Sequence, residues 1–373
     1  MNRLFNFLKS FDWILFSGIF LLSIIGIIEI YSVALGQGTD EALMNFKKQV
    51  GFFILGCLLL FIFAYLIKFE LLKSNANYIY FGAIFILIVV LLVGTEVRGT
   101  KGWYNFGIFG VQPVEFVKIA LLIILAKFLS RITQNKISFK HFIYSGLFVI
   151  VLVVLVLLQP DFGSASILLA VWFFLLVASG LKKRYIVFLI VAMAALAWVG
   201  WSFYFKPYQK QRILTFMNAG EDSLDQGYNV TQAMIAVGSG QLYGRGIGFG
   251  SQSQLKFLPE SQNDFIFAVI AEELGFFGVV FVISLFMIFF VRCYVNIRKI
   301  DDRFGIYFII GSVILIFIEM FINIGMNLGI VPVVGISLPF ISYGGSSMIA
   351  NLVLIGIIEN VIIRSKKAIV IIK

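Results

Sequence analysis

The sequence predicts an all-α polytopic membrane protein of about ten transmembrane helices, with a long extracytoplasmic loop between the seventh and the eighth. Three observations predict it. Of 373 residues, 61% are hydrophobic and only 13% charged, where soluble domains run near 45–50% and about 25%. The mean hydropathy is +1.01. The apolar stretches are long and continuous, as helical spans require, and do not alternate as the strands of an outer-membrane barrel do. This composition excludes a disordered chain, a disulfide-stapled secreted scaffold and an ordinary soluble enzyme. Residues 1–373 read as one integral-membrane domain.

In chain order, MNRLFNFLKSF places Leu4, Phe5, Leu8 and Phe11 on one helical face and predicts an interfacial helix over 1–11. The run from about 13 to 34 is too long for a signal-peptide core and reads as an uncleaved signal anchor. Apolar segments follow at about 50–67, 77–94, 113–130, 142–159, 164–181, 185–205, 264–291, 304–328 and 343–363. About 20 residues rising 1.5 Å each cross a hydrocarbon core of about 30 Å.

Charge sets the orientation. With the N-terminus in the cytoplasm, 19 of the 29 Lys and Arg residues fall on inside segments, and the short outside loops hold only Lys47, Lys48, Arg98 and Lys101. Both termini are therefore expected inside. The net charge of +10 reads as cytoplasmic loops facing anionic lipid, with no nucleic-acid partner. The longest loop, about 206–263, then lies outside, and a loop of that length in a compact protein is usually functional. No ATP is available there, so chemistry at that face needs a substrate that arrives activated. Cys57 and Cys293 read as buried apolar residues, and His141 as a loop or helix-end residue.

The polar residues inside or beside spans are the candidates for chemistry, because buried ionisable groups are costly. Gly238, Gly240, Gly244, Gly246, Gly248 and Gly250 surround Arg245. Such a run can bring backbone N–H groups close to a diphosphate, or can be a turn packed on the bundle. Asp264 opens the eighth span above Ala268, Ala271, Gly275 and Gly278, which share one helical face; it suits an N-cap as well as a catalytic carboxylate. Glu272 and Glu273 lie about 12 Å deeper by helical rise and call for a cavity or a partner. Glu115 and Lys118, three apart, can pair, or Lys118 can attract phosphate. Asp161 follows Gln159 and Pro160 in a short outer loop, a turn or cap position. SYGGSS at 342–347 opens the last span, with Ser342 as a candidate N-cap or cavity residue. Glu29, Glu319 and Glu359 fall in or near spans with no direction set by periodicity.

Four segments carry a resemblance: GWYNFGIFGVQPVEFVKIA at 101–119, QPDFGSA at 159–165, YNVTQAMIAVGSGQLYGRGIGFGSQSQLKFLPESQNDFIFAVIAEELGFFG at 228–278, and PVVGISLPFISYGGSS at 332–347. In this order they resemble the SEDS family of bacterial cell-wall synthesis, the RodA/FtsW/SpoVE proteins, and SQSQLKFLPE resembles the RodA branch. The resemblance implies a peptidoglycan glycosyltransferase that polymerises lipid II at the outer face of the cytoplasmic membrane. It implies a class B penicillin-binding protein (a transpeptidase) as partner, with other proteins of the elongation or division complex, and a divalent cation, Mg²⁺ or Mn²⁺, with no metal site visible in the sequence. The family's essential acid maps onto Asp264. Its Q-P-x-E-x-x-K motif maps onto Gln112, Pro113, Glu115 and Lys118, with Val114 where the family often has serine.

On that reading an acceptor sugar hydroxyl attacks the anomeric carbon of a lipid-linked donor, Asp264 takes the proton as general base, and polyprenyl diphosphate leaves. Lys118, Arg98, Arg212, Arg245 and Lys256 are the candidate cations for the leaving diphosphate, and Glu115, Glu260, Asp161 and Ser342 the candidate polar partners of the substrate. Two other classes use the same residues: a lipid II flippase, and a scaffold for the penicillin-binding protein.

Overall fold

In a computed structural model the described residues are 7–97, 99–107, 109–132, 137–188, 191, 198, 202 and 226–372. They form a helical bundle with one small sheet. The helices are α1 Trp13–Gln37, α2 Asp40–Tyr65, α3 Phe69–Ser74, α4 Ala76–Val93, α5 Val114–Ser130, α6 Phe139–Leu157, α7 Phe162–Ala178, α8 Gln226–Ser239, α9 Ser251–Gln254, α10 Ile266–Ile297, α11 Arg303–Asn327 and α12 Gly345–Ile372. Seven of these (α1, α2, α4, α6, α10, α11 and α12) are long and apolar enough to cross a membrane, so the chain is a multi-pass membrane protein. The seventeen-residue α5 and α7 coincide with the shorter expected segments at 113–130 and 164–181. Most of the segment at 185–205 lies outside the described residues.

Helix α12 is the bundle axis. Its apolar window is 89% buried, against 28% for α2, α4 and α10, whose remaining surfaces suit lipid. It packs most extensively on α2. Asn360 of α12 donates to the carbonyls of Phe63 (2.8 Å) and Ala64 (2.9 Å) and accepts from the Phe69 amide (3.1 Å). One buried amide thus satisfies carbonyls that α2 leaves open at its C-terminus. At the same end of the bundle Asp12 caps α1, accepting from Leu15 N at 3.2 Å, and Arg292 of α10 grips its carboxylate at 2.7 and 3.1 Å. Asn296 adds a bond at 2.6 Å, and the Asp12 amide donates to Glu359 at 3.1 Å. Burial pushes the Asp12 carboxyl up, but these hydrogen bonds and the Arg292 charge outweigh it and hold the group below the usual carboxylate range.

Several local features depart from the sequence expectations. Of the N-terminal helix, residues 1–6 lie outside the described residues. In the turn that follows, Phe7 and Phe11 are buried and Leu8 is exposed. Phe7 was not on the expected apolar face, yet its ring meets Tyr65 at 4.9 Å. Residues 95–111, read only as a loop, contain a three-stranded antiparallel sheet: β1 Thr95–Val97, β2 Thr100–Asn105 and β3 Gly110–Val111. Tyr104 pairs with Val111, and its hydroxyl donates to the Ile86 carbonyl at 3.0 Å, tying the sheet to α4. His141 is a helix-end residue, closing a capping box with Ser138 at the start of α6.

The largest departure is in α10. Gly275 adopts φ 65°, ψ −165°, so the helix breaks there, in a region open essentially to glycine alone. The continuous face expected from Asp264 through Gly278 is therefore interrupted at Gly275. Residues 240–248 repair the break. Arg245 and Gly246 donate from their amides to the carbonyls of Glu272 and Glu273, both at 2.9 Å. The Phe276 and Phe277 amides donate to the Gln241 and Leu242 carbonyls at 2.9 and 3.2 Å. Every group freed by the break and named here finds a partner, as burial demands.

Candidate functional site

The glycine run meets a carboxylate, and the carboxylate belongs to the protein. Glu273 accepts from Ser32 Oγ of α1 at 2.6 Å, from Gly248 N at 3.1 Å and from Gln254 Nε2 at 3.1 Å. Glu272 accepts from Gln252 N at 2.9 Å and Ser253 N at 3.2 Å, the first amides of α9. The two acids thus hold residues 246–254 onto α1 and α10. Close approach explains the glycines: a Cβ on Gly240 would stand 1.8 Å from the Ala271 carbonyl oxygen, and one on Gly244 2.2 Å from that of Glu273. Arg245 is exposed, and its guanidinium donates to Ser251 Oγ at 3.2 Å. Lys256 and Glu260 are also exposed, both with positive φ, and Asn263 donates to Glu260 at 2.6 Å. Arg98 and Arg212 lie outside the described residues.

The segment before α12 brings the remaining candidates together. Asp264 sits two residues ahead of α10, and the residue at the cap position is Phe265, which makes no side-chain capping bond. A Cβ on Gly335, whose φ is 72°, would lie 3.6 Å from Asp264 Oδ2. The next residue, Ile336, offers its carbonyl to Asn323 Nδ2 at 2.7 Å, and the same amide donates to the Asp264 carbonyl at 3.0 Å. Ser342 is buried and does not cap α12, which begins at Gly345. It accepts instead from Leu338 N at 2.8 Å and donates to the Asn263 carbonyl at 2.7 Å. Gln49 of α2 closes this side, donating to the Ser342 carbonyl at 3.1 Å and accepting from Gly344 N at 3.2 Å.

On the other side of the same segment lie Gln112 and Asp161. The Gln112 amide donates to Ser346 Oγ at 2.8 Å, and its side chain donates to Asp161 Oδ2 at 3.4 Å. Asp161 caps α7, accepting from Ser164 N at 2.9 Å and Ser164 Oγ at 2.8 Å. A Cβ on Gly163 would come within 2.7 Å of the Val334 carbonyl oxygen. Burial pushes the Asp161 carboxyl up, with a smaller push from Glu115; the Ser164 bonds and Lys118 oppose it. Lys118 itself is buried between two acids, Glu115 at 2.8 Å on its own helix and Glu319 of α11 at 2.5 Å. The expected Glu115–Lys118 pair is present, and Glu319 is the partner that periodicity did not assign. Two glutamates against one lysine leave this buried cluster anionic by formal charge, so as it stands Lys118 is already neutralised.

The structure therefore gathers Asp264, Ser342, Gln112 and Asp161 around residues 334–346, with Glu115, Lys118 and Glu319 adjoining. It places Arg245 and Lys256 on exposed stretches of the 240–257 segment. Asn323, Asn327 and Gln49 join the site without having been singled out, and Ser346 joins it from within SYGGSS. For the two asparagines a signal was available: they stand four apart in an apolar run, INIGMN at 322–327, and so share a helical face.

Comparison with known proteins shows the family and the fold. A family model described as "Cell cycle protein", for FtsW, RodA and SpoVE, matches residues 12–367. The peptidoglycan glycosyltransferase MrdB of Escherichia coli K12 is 33% identical over 325 residues, 87% of each chain. A chain in the solved structure of a peptidoglycan synthase complex, described as coordinating polymerization and crosslinking, superposes with a TM-score of 0.81 at 29% identity, over 95% of this chain and 98% of that one. The crystal structure of the rod shape determining protein RodA of Thermus thermophilus gives 0.70 at 28%, over 94% and 96%. By sequence along nearly its whole length and by fold, the chain belongs to the SEDS family of FtsW, RodA and SpoVE proteins.

Proposed function

We propose that this protein polymerises lipid II into glycan strands at the outer face of the bacterial cytoplasmic membrane. It is a peptidoglycan glycosyltransferase by family, the activity for which MrdB and RodA relatives are named. One observation carries the assignment of the site: the four sequence segments behind the family resemblance converge on residues 334–346, with Asp264 on one side and Gln112 and Asp161 on the other. On this reading the chain crosses the membrane about ten times, with both termini inside. The Asp264 end of the bundle then faces outward and the Asp12 end inward, as the Lys/Arg distribution favours.

Asp264 is the general base. It accepts the proton of the acceptor hydroxyl as the oxygen attacks the anomeric carbon, the bond to the diphosphate oxygen breaks, and polyprenyl diphosphate departs with the electron pair. Direct displacement by one carboxylate-assisted hydroxyl inverts the anomeric centre. Lys118 supports the diphosphate side when substrate charge competes with Glu115 and Glu319 for it, and Arg245, Lys256, Arg98 and Arg212 are further cations for that charge. Glu260, Ser342 and Asp161 are polar partners for the sugars. A class B penicillin-binding protein is the proposed partner, in keeping with the likeness to a synthase complex. Mg²⁺ or Mn²⁺ belongs to the proposal as a companion of the substrate diphosphate. Among the described residues no group of three or more His, Cys, Asp or Glu side chains could hold a metal, and no step is assigned to one.

The test is polymerisation of labelled lipid II in detergent, with no sealed membrane. Glycan products there support a glycosyltransferase. A protein that yields none, yet changes the sidedness of lipid II in sealed vesicles, is a flippase.

A further inference from the structure

The Asp12–Arg292 contact gives α1 and α10 a common level, from which both helices can be measured. Ser32 stands twenty residues along α1 from Asp12, about 30 Å by helical rise. Glu273 stands nineteen residues back along α10 from Arg292, about 29 Å. The two lengths agree, because Ser32 Oγ donates to Glu273 Oε2 at 2.6 Å. Gly248 N donates to both side chains, at 2.9 and 3.1 Å. Gln254 is held at the same height, its Nε2 donating to the Ser32 carbonyl at 3.2 Å. The exposed Trp13 beside Asp12 marks the starting level as one rim of the bilayer. Gly248 and Gln254 then lie one hydrocarbon thickness away, about 30 Å, at the opposite rim.

The chain around these two residues suits that height. From Gly240 to Pro259 it carries no acid, and its charges are Arg245 and Lys256, both exposed. Among the described residues the Arg245 guanidinium donates to the Ser239 carbonyl and Ser251 Oγ and meets no carboxylate. The same stretch exposes Leu242, Tyr243, Ile247, Phe249, Leu255 and Phe257, with Tyr243 79% and Phe249 76% accessible. A patch of this size on a connecting segment calls for a cover. It continues on both sides into exposed helix surface at the same height. On α10 these are Phe276 and Phe277, where the Tyr243 and Phe277 rings meet at 5.3 Å. On α1 they are Tyr31 and Leu35.

We propose that residues 242–257 form a shelf lying in the membrane surface, with their apolar side chains among the ends of the acyl chains and with Arg245 and Lys256 on the phosphates of anionic phospholipids. Aromatic rings favour this depth. An apolar face edged by basic residues binds such a surface, and anionic headgroups draw Lys and Arg to it. The ligand is a phosphodiester lipid of the phosphatidylglycerol kind. Its phosphate is the one that Arg245 and Lys256 meet before substrate arrives. The depth follows from the helix lengths; the choice of the outer leaflet rests on the orientation proposed above.

The experiment places a nitroxide at Phe249→Cys in the full chain, with Cys57 and Cys293 replaced by alanine. Collisions with oxygen and with a water-soluble nickel chelate report its depth. Vesicles of phosphatidylcholine alone are compared with vesicles that also contain phosphatidylglycerol. The expected label lies about 5–10 Å below the phosphates in the phosphatidylglycerol vesicles. It moves toward water in phosphatidylcholine alone, and also when Arg245→Gln and Lys256→Gln are combined. A label in water in both kinds of vesicle overturns the inference, and so does a depth indifferent to lipid charge. A label in water that only a class B penicillin-binding protein shields makes the patch a protein interface, which also overturns it. If Phe249→Cys does not fold by size-exclusion chromatography, Tyr243→Cys takes its place with the same outcomes. Orientation is read separately at the exposed Asp40, on the connection between α1 and α2. Asp40→Cys should react with a membrane-impermeant maleimide in right-side-out vesicles. An unreactive Asp40→Cys would reverse the leaflet, and the outward reading of the site with it, while the measured depth decides the shelf on its own.

Discussion

Lys118 of α5 and Glu319 of α11 meet at 2.5 Å, 201 residues apart in sequence, in the buried layer beneath the Asp264–Asp161 site. With Glu115 at 2.8 Å they form a buried three-member network. Pairing of this kind is how charges persist inside a membrane bundle. It also makes the network intolerant of partial removal, because one missing partner leaves a buried charge uncompensated.

Lys118→Met should therefore destabilise the protein by about 3–5 kcal/mol, since it leaves two glutamates facing each other. Exchanging all three members together for Met, Gln and Gln should recover much of that loss. Thermal unfolding of the purified proteins in detergent reads both changes. A Lys118→Met protein as stable as wild type would show that the glutamates are already protonated and the network is not ionic.

The glycines of the 240–246 segment are expected to differ sharply from their neighbour Gly238. Gly244→Ala combines a φ of 79° with a Cβ 2.2 Å from the Glu273 carbonyl oxygen, and overpacking of this kind costs about 1–3 kcal/mol. Gly238 lies within α8 and its Cβ would meet nothing within 4 Å. Gly238→Ala should be neutral or stabilise by up to about 1 kcal/mol. Limited proteolysis should show residues 240–257 released in Gly244→Ala and protected in Gly238→Ala.

Acid should weaken the Asp12 end of the bundle. The folded Asp12 carboxyl lies below its ordinary value of 3.8. The stability it contributes is complete above that ordinary value and is lost as pH falls through the folded one. Asp12→Asn lacks this group, so its unfolding temperature should fall less than that of wild type between pH 6 and pH 3. Equal falls would show that the Asp12–Arg292 pair contributes no pH-dependent stability.

The helices were legible because their cause is local: continuous apolar runs about twenty residues long, with charge at their ends. Helix α8 has a local cause too: residues 228–237 are largely apolar and contain no Gly or Pro. The break at Gly275 was not. A glycine in an apolar run normally passes as helix packing, and what makes it a break is the distant 240–246 segment that completes its hydrogen bonds. The direction of Glu272 and Glu273 was hidden for the same reason, since their partners lie 19 to 25 residues away on α9 and Gly248, and 241 residues away at Ser32. The glycine run reads either as a diphosphate cradle or as a turn packed on the bundle, and among the described contacts it packs on α10, with its Gly248 amide meeting the Glu273 carboxylate. The site was visible only as separate segments. Their convergence depends on Gly163, Gly335 and Ser346 approaching other chain segments closely, which no single stretch of sequence states.

The central claim is that Asp264 is the base for lipid II polymerisation. The most direct measurement compares wild type with Asp264→Asn, each as the full chain in complex with a class B penicillin-binding protein. Glycan strands formed from labelled lipid II are resolved by gel, and folding is monitored by thermal unfolding. The account predicts glycan ladders from wild type and none from Asp264→Asn, at similar unfolding temperatures. Ladders of equal intensity from a folded Asp264→Asn protein would contradict it.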